Sequence, residues 1–570
     1  MNKPAIPSLD SLFRVATPEV LLTVSSIQTS PVAVGAAKPV HRIRHLIPSV
    51  GRHLENKVVV CETFDQGVAI LVLEGFESSQ QVNEIKLQMQ RRFPKQAVEV
   101  YAHSSLELLT YAKAQGDATD TGRQSSSGYE KALEDIVRFA VENRASDITL
   151  DINSDNAVSP ILFKIDGRQI QLDAWQMKTE RLEEIVNIAW QGVTGGSQSS
   201  FNKQVESQGI YSLAIDQRDF KLRFQSIIAD SGPTISLRLL EQRSVKPLTA
   251  YGYLPSHLDL LNRYKNSRSG FIVFSGKVDS GKTTSQSALV ATLPKHYKTF
   301  MLEDPVEIII DGVYQITLAR PVDGSGDDNY SRKLMALKRA APDAISMGEV
   351  RDGLNARAVA DVGGMGILGL FTVHASSALH APQKLWSESV GVPRDFLSSP
   401  GMFKLFVHQA LVPRLCSCAN PLSSLTVQGG IDQDGMYQPP AHWQQYIQLM
   451  ETAFKIDASG MKVRNHNGCD KCRRPYFDDL NGYSGRQLLA EMIEVNMHHT
   501  LLRLIGQGDA LGMYEYTNTL KKEPLNNPDM ANKTIVECGL YWALQGRIDP
   551  RDVELATEPF ANLILQPRYN

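Results

Sequence analysis

The sequence predicts a multidomain α/β protein built around a parallel sheet that presents a phosphate-binding loop. Three observations lead there. At 570 residues the chain far exceeds the ~150 residues that one hydrophobic core usually serves, so it divides into roughly three to five units. From Phe271 onward short apolar strands alternate with helical runs, the pattern of a parallel sheet covered on both faces. Between the strand FIVF and the helical run TTSQSALVATL stands SGKVDSGKTTS, residues 275–285, which fits G-x-x-x-x-G-K-[ST] in the strand-loop-helix setting that the mechanism needs.

Taken in order, VVVCE (58–62) and VAILVLEGF (68–76) read as strands, QQVNEIKLQMQRRF as a helix, AVEVYA as a strand and SSLELLTYAKA as a helix. Together they make a small α/β unit over 1–113. Residues 114–128, AQGDATDTGRQSSSG, are polar and without apolar period, which predicts a linker. The amphipathic helix YEKALEDIVRFAVENRA then opens a second α/β unit over 129–245, continued by the strands ASDITLDI, SPILFKIDGR, GIYSLAI, DFKLRFQSII and PTISLRLLEQ. The phosphate-loop core occupies 246–414. A cysteine-bearing module is expected over 415–485 and a helical region over 486–570, with QLLAEMIEVNMHHTLLRLI and KTIVECGLYWALQG as helices and Asp549-Pro550 as cap and first-turn proline of a last one.

Composition narrows the function. Lys and Arg number 59 against 62 Asp and Glu, for a net charge of -3, and no basic block offers a nucleic-acid footprint. No run approaches the ~18 apolar residues of a membrane span, and the first residues lack a signal-type apolar core, so the expected location is the cytoplasm. Six cysteines in this length are too few for a disulfide scaffold, and four of them fall in CSC and CDKC. Small GTPases and transporter cassettes are poor fits, because neither N-K-x-D nor L-S-G-G-Q occurs.

The chemistry follows from where polar residues end apolar strands. Gly276, Ser280, Gly281, Lys282, Thr283 and Thr284 are the expected nucleotide-binding residues. Backbone N–H groups of such a loop surround the β-phosphate, the helix N-terminus adds partial positive charge, Lys282 reaches the β- and γ-phosphates of ATP, and Thr283 ligates Mg²⁺. KTFMLEDPVE ends a strand in Glu303 and Asp304, AISM is followed by Gly348-Glu349, and ILGLFTVHA ends at His374. Glu349 is expected to orient and deprotonate water, and His374 to face the γ-phosphate. Each alone reads equally well as a solvated carboxylate or a satisfied loop histidine. Strand ends at one edge of an open α/β sheet, however, form one ligand site. The thiolates of Cys416, Cys418, Cys469 and Cys472 suit a tetrahedral Zn²⁺ site, against which stand free thiols, with His466 as a substitute ligand.

In chain order stand ASDIT, FKIDGR, KLRFQSI, SLRLLE, SGKVDSGKTTS, LEDPVE, MGEVRD, TVHAS and CDKC followed by GYSGR. On these motifs, about residues 140–560 resemble the ATPases that power type IV pilus assembly and type II secretion, the PilB/GspE type. The resemblance implies a RecA-like P-loop core, a PAS-like α/β domain before it, a small N-terminal α/β docking domain and a zinc-bearing C-terminal part. It places Glu303 in an acidic box, Glu349 in the Walker B element, and Arg223 and Arg238 among arginines that reach the nucleotide between domains or subunits. An inserted guanidinium of that kind accelerates phosphoryl transfer by roughly 10³ to 10⁵.

Three departures from the family pattern stand out. K-V-D-S replaces P-T-G-S inside the loop, and Asp279 tolerates the positive φ that glycine would take. If its carboxylate points to solvent or pairs with Lys277, the expected cost is on the order of 1 kcal/mol or less. Ile367 stands where the histidine box has its first histidine, leaving His374. CSC replaces C-x-x-C in the first cysteine pair. By resemblance, the expected protein is a hexameric ATP-hydrolysing motor that drives pilus assembly from the cytoplasmic side of an inner-membrane platform, with no direct nucleic-acid partner. The competing expectations are a nucleotide-gated scaffold with weak hydrolysis and a DNA-translocating ATPase of a conjugation system.

Overall fold

The computed structural model describes residues 43–46, 58–63, 68–73, 80–92, 97–103, 124–194, 200–318, 327–432, 435–474 and 477–563. The helix expected over 104–114 and linker residues 114–123 lie outside them. Near the N-terminus β1 (Ile43–Leu46), β2 (Val58–Thr63), β3 (Val68–Leu73) and β4 (Val98–His103) form one sheet in sequence order, and α1 (Gln80–Arg92) supplies the parallel crossover from β3 to β4. Val60, Ile70, Val72, Val82 and Met89 close a core between sheet and helix.

The middle unit begins earlier than its sequence suggests. Helix α2 runs over Gln124–Glu142, so the last residues of the expected linker are its first turns. Strands β5 (Ala145–Asp151), β6 (Val158–Ile165), β7 (Arg168–Lys178), β8 (Val193–Thr194), β9 (Gln208–Ile215), β10 (Arg218–Ala229) and β11 (Gly232–Glu241) make a seven-stranded sheet in the order β7-β6-β5-β11-β10-β9-β8. Alternate residues such as Phe220, Leu222 and Phe224 point to one face, where α2 and α3 (Thr179–Gln191) cover them.

The core sheet orders as β14-β13-β15-β16-β12-β17-β18. Its strands are β12 (Gly270–Ser275), β13 (Thr299–Glu303), β14 (Tyr314–Thr317), β15 (Ala344–Met347), β16 (Leu368–Val373), β17 (Phe403–Leu415) and β18 (Tyr483–Ile493). All neighbours are parallel except β17 and β18. Residues of β12, β15 and β16 are buried throughout because each face is covered. Phe271 and Val273 face one cluster with Val359 and Val362 of α6 (Gly353–Gly364), whereas Ile272 and Phe274 face another with Ala288 and Leu289 of α4 (Lys282–Val290), while α5 (Asp327–Arg339) crosses from β14 to β15.

Two expectations for the C-terminal part are corrected. QLLAEMIEVNMHHTLLRLI is not one helix. Gln487–Ile493 belong to β18, and a helix, α7, starts only at His499 and ends at Gln507. Gln487, Glu491, Glu494 and His498 recur at helical spacing, yet Gln487 and Glu491 are buried in the strand, so the polar pattern imitates a helix face. The core sheet is consequently completed by a strand beyond residue 414. The final helices α8 (Ile535–Leu544) and α9 (Pro550–Ala556) keep their expected places, capped by Thr534 with Glu537 and by Asp549, which accepts from the Arg551 N–H. Phe477 and Leu480, just after the second cysteine pair, are buried in the middle unit's core, and Arg474 pairs with Asp166 at 3.0 Å.

At the centre of the core sheet, Gly369 leaves room for the buried Phe271 ring: a Cβ there would lie 2.3 Å from it. Gly369→Ala is expected to destabilise the core by about 1–3 kcal/mol through overpacking, read as a lower thermal midpoint, with the unaltered chain as reference.

Candidate functional site

The loop 276–281 joins β12 to α4 and is held from behind. A Cβ on Gly276 would meet the Gln409 carbonyl oxygen at 2.4 Å, so no larger residue fits there. The buried Gln409 side chain donates from Nε2 to Ser280 O at 3.0 Å and to Ser285 Oγ at 3.2 Å, and its Oε1 accepts from Tyr253 at 3.2 Å. Gln409 lies on β17 with no motif around it, and the sequence carried no signal for it. Asp279 adopts φ 64°, the left-handed conformation expected of it.

Lys282 opens α4, and its Nζ donates to Gly276 O at 3.0 Å and Lys277 O at 2.7 Å. Burial pushes its pKa down to about 8, against the favourable charges of Glu349 and Asp279. Around it one cleft is lined by Ser280, Gly281, Thr283, Thr284, Glu303, Glu349, His374, Arg223 and Arg238. The expected site residues therefore do converge, Gly276 lying directly behind the cleft as the carbonyl partner of Lys282.

Glu303 closes β13. Gln315 Nε2 donates to its Oε1 at 2.9 Å, while Oε2 is buried without a hydrogen-bond partner among the described residues. Burial pushes this carboxyl up to about 7. Glu349 follows β15 on a pinned turn: the Gly348 N–H donates to Leu302 O at 2.7 Å, Thr372 Oγ1 to Gly348 O at 2.6 Å, and the Val350 N–H to Thr372 O at 2.8 Å. Its Oε1 lies 3.4 Å from His374 Nε2, whose ring places Nδ1 3.1 Å from Gly276 O. Lys282 Nζ stands 3.4 Å from the same Nδ1, so the His374 ring sits between the carboxylate, the lysine and the loop.

The arginines come from the middle unit. Arg223 on β10 donates to Asp304 O at 3.2 Å, and Arg238 on β11 donates from Nε to Asp147 at 2.8 Å. Asp279 pairs with neither solvent nor Lys277. Lys164 Nζ reaches it at 2.5 Å and Arg238 Nη2 at 3.4 Å. Burial opposes its charge, but these partners hold its carboxyl below the usual range. Arg486, from the GYSGR segment, also lines the cleft. The cysteines form a separate centre: Cys416 and Cys469 sulfurs are 3.8 Å apart, Cys418 and Cys472 3.6 Å, Cys469 and Cys472 3.7 Å, and all four lie within 4.8 Å of one another. His466 is not in that group.

The family described as Type II/IV secretion system protein matches residues 123–527. Type II secretion system protein E of Pectobacterium carotovorum subsp. carotovorum is 28% identical over 362 residues, 63% of this chain and 64% of that protein. The protein of the same name from Dickeya dadantii is 27% identical over 402 residues, covering 70% and 73%. Among solved structures, the ATPase DotB of Legionella pneumophila superposes over 75% of this chain and 95% of its own with a TM-score of 0.47 and 16% identity.

The raised Glu303 carboxyl gives a pH dependence. Between its ordinary range and about 7 the folded chain keeps a proton that the unfolded chain has released, so stability falls as pH rises through that window. Glu303→Gln is expected to flatten the fall, which amounts to on the order of 3 kcal/mol at most. Denaturant midpoints of both proteins at pH 5 and pH 8 without nucleotide check this; equal pH slopes would reject it.

Proposed function

The chain belongs to the Type II/IV secretion system protein family, and we propose that it is a hexameric cytoplasmic ATPase. In this reading ATP hydrolysis drives assembly of a type IV pilus, or of the related type II secretion pseudopilus, at an inner-membrane platform. The observation that carries the reading is the meeting of Lys282, Thr283, Glu303, Glu349 and His374 in one cleft with Arg223 and Arg238 of another unit. Among the described residues no helix is long and apolar enough to cross a membrane, which fits a motor docking onto a membrane partner.

The residues divide the work as follows. Loop N–H groups and Lys282 bind the β- and γ-phosphates, and Lys282 exchanges its loop carbonyl partners for phosphate oxygens. Thr283, with Glu303 and Glu349 beside it, suits Mg²⁺, which when bound neutralises charge on the phosphate oxygens. Glu349 orients a water and takes its proton, with the His374 ring packed between that carboxylate and the loop. Arg223 and Arg238 bring positive charge to the transferring group when the middle unit closes on the core. Asp279, a carboxylate inside the cleft, favours a second reading, a nucleotide-gated scaffold with little turnover.

The cysteine centre fits Zn²⁺. Tetrahedral Zn–S bonds of about 2.3 Å separate sulfurs by about 3.8 Å, matching the observed spacings and excluding disulfides. The Cys469 and Gly482 N–H groups point at Cys472 Sγ at 3.1 and 3.3 Å, as a thiolate ligand requires.

Glu349→Gln is expected to lower Mg²⁺-dependent ATP turnover by roughly 10²-fold or more while nucleotide still binds; an unchanged rate removes Glu349 from the chemistry, and negligible turnover in both proteins favours the scaffold. Elemental analysis is expected to find about one zinc per chain. Cys472→Ser is expected to lose the metal and several degrees of thermal midpoint, and a metal-free parent chain of equal stability would overturn the assignment.

A further inference from the structure

Asp279 has no part in the phosphate chemistry above, yet it is the one carboxylate of the loop 276–281 and it meets two cations. Lys164 Nζ stands 2.5 Å from Oδ2 and Arg238 Nη2 3.4 Å from Oδ1, with the side chain 23% exposed. Arg486 adds a third nearby cation. Lys164 lies on β6 and Arg238 on β11, both in the middle unit, so this carboxylate is where that unit grips the phosphate loop. The grip is also directional, because Asp147 accepts from Arg238 Nε at 2.8 Å and leaves Nη2 to face the loop.

We propose that Asp279 is a positioning residue that holds Lys164 and Arg238 against the phosphate loop before nucleotide arrives, and that a triphosphate, far more than a diphosphate, takes those two cations over. The inference rests on the reading of the cleft as an ATP site. Lys282, which serves the β- and γ-phosphates in loops of this pattern, feels the charges of both Asp279 and Arg238, so the pair lies within electrostatic range of the terminal phosphates. ATP carries one more anionic group than ADP to compete for the cations. Once they transfer, Asp279 keeps only part of its compensation and opposes the incoming charge. It therefore raises the amount of ATP needed to engage the middle unit and leaves ADP nearly unaffected.

The two halves of this ion pair are then predicted to act with opposite sign. Asp279→Asn frees both cations and is expected to tighten binding of a non-hydrolysable ATP analogue by roughly three- to tenfold, with ADP changed by less than about twofold. Lys164→Ala leaves Asp279 under-compensated beside the phosphates and is expected to weaken the analogue by a similar factor, with Lys164→Arg restoring it. Asp279→Gly, suited to φ 64°, serves as a second variant if the asparagine form does not fold. Fluorescence titrations of the full-length chain with labelled analogue and labelled ADP in Mg²⁺ read these values. A purely structural ion pair broken from either side would shift affinity in the same direction, and that result, or equal shifts for ADP and the analogue, overturns the proposal. A parent chain binding neither nucleotide brings down the ATP-site reading and this proposal with it, whereas normal binding with no Asp279 effect brings down the proposal alone.

Discussion

The site depends on one constraint: the central parallel strands are buried on both faces, so polar groups can appear only where the strands stop. Register then fixes which groups meet. Ser275 pairs with Val373, Met347 with Phe371 and Leu302 with Met347, so β12, β16, β15 and β13 finish nearly level. The next residues along each chain are Gly276, His374, Gly348-Glu349 and Glu303. A slip of one residue would turn Phe271 and Val273 toward the opposite cluster, and the buried faces forbid it. Packing of the apolar residues is thus what aligns the charged ones.

Level strand ends also put charges of both signs into a poorly solvated place, and the cleft handles this by pairing across units. Lys282 and Glu303 are both disfavoured in their charged forms by burial. The middle unit brings Lys164 and Arg238 to Asp279 and Arg223 to Asp304. No single pair is strong, because each is partly exposed. Their number makes the cleft sensitive to an added polyanion, which competes for several of them at once.

Much of this was legible in the sequence, for a definite reason. The phosphate loop, Glu303, Glu349, His374 and the four cysteines each follow or flank a short apolar strand or form a close pair, so local pattern is enough to find them. What escaped lacks a local signal. Gln409 supports the loop from the middle of β17, and the Lys164–Asp279 pair spans 115 positions, so charge alone favoured the neighbouring Lys277 as partner. Strand β18 was misread because its buried Gln487 and Glu491, followed by Glu494, fall at helical spacing. The Arg486 it carries entered the sequence only as part of GYSGR.

The cysteine centre constrains how the middle unit can move. Cys416 and Cys418 continue directly from β17 of the core sheet, while Cys469 and Cys472 lead to Phe477, which is 2% exposed with its ring 6.3 Å from Phe139 of the middle unit. The middle unit is thereby joined to the core through the connection after β11 and through this strap, besides the ion pairs at the cleft. Withdrawing Phe477 would cost about 3–5 kcal/mol, more than the surface ion pairs at the cleft supply individually. On the proposed motor reading, closure over a nucleotide keeps Phe477 seated, so the strap goes with the middle unit.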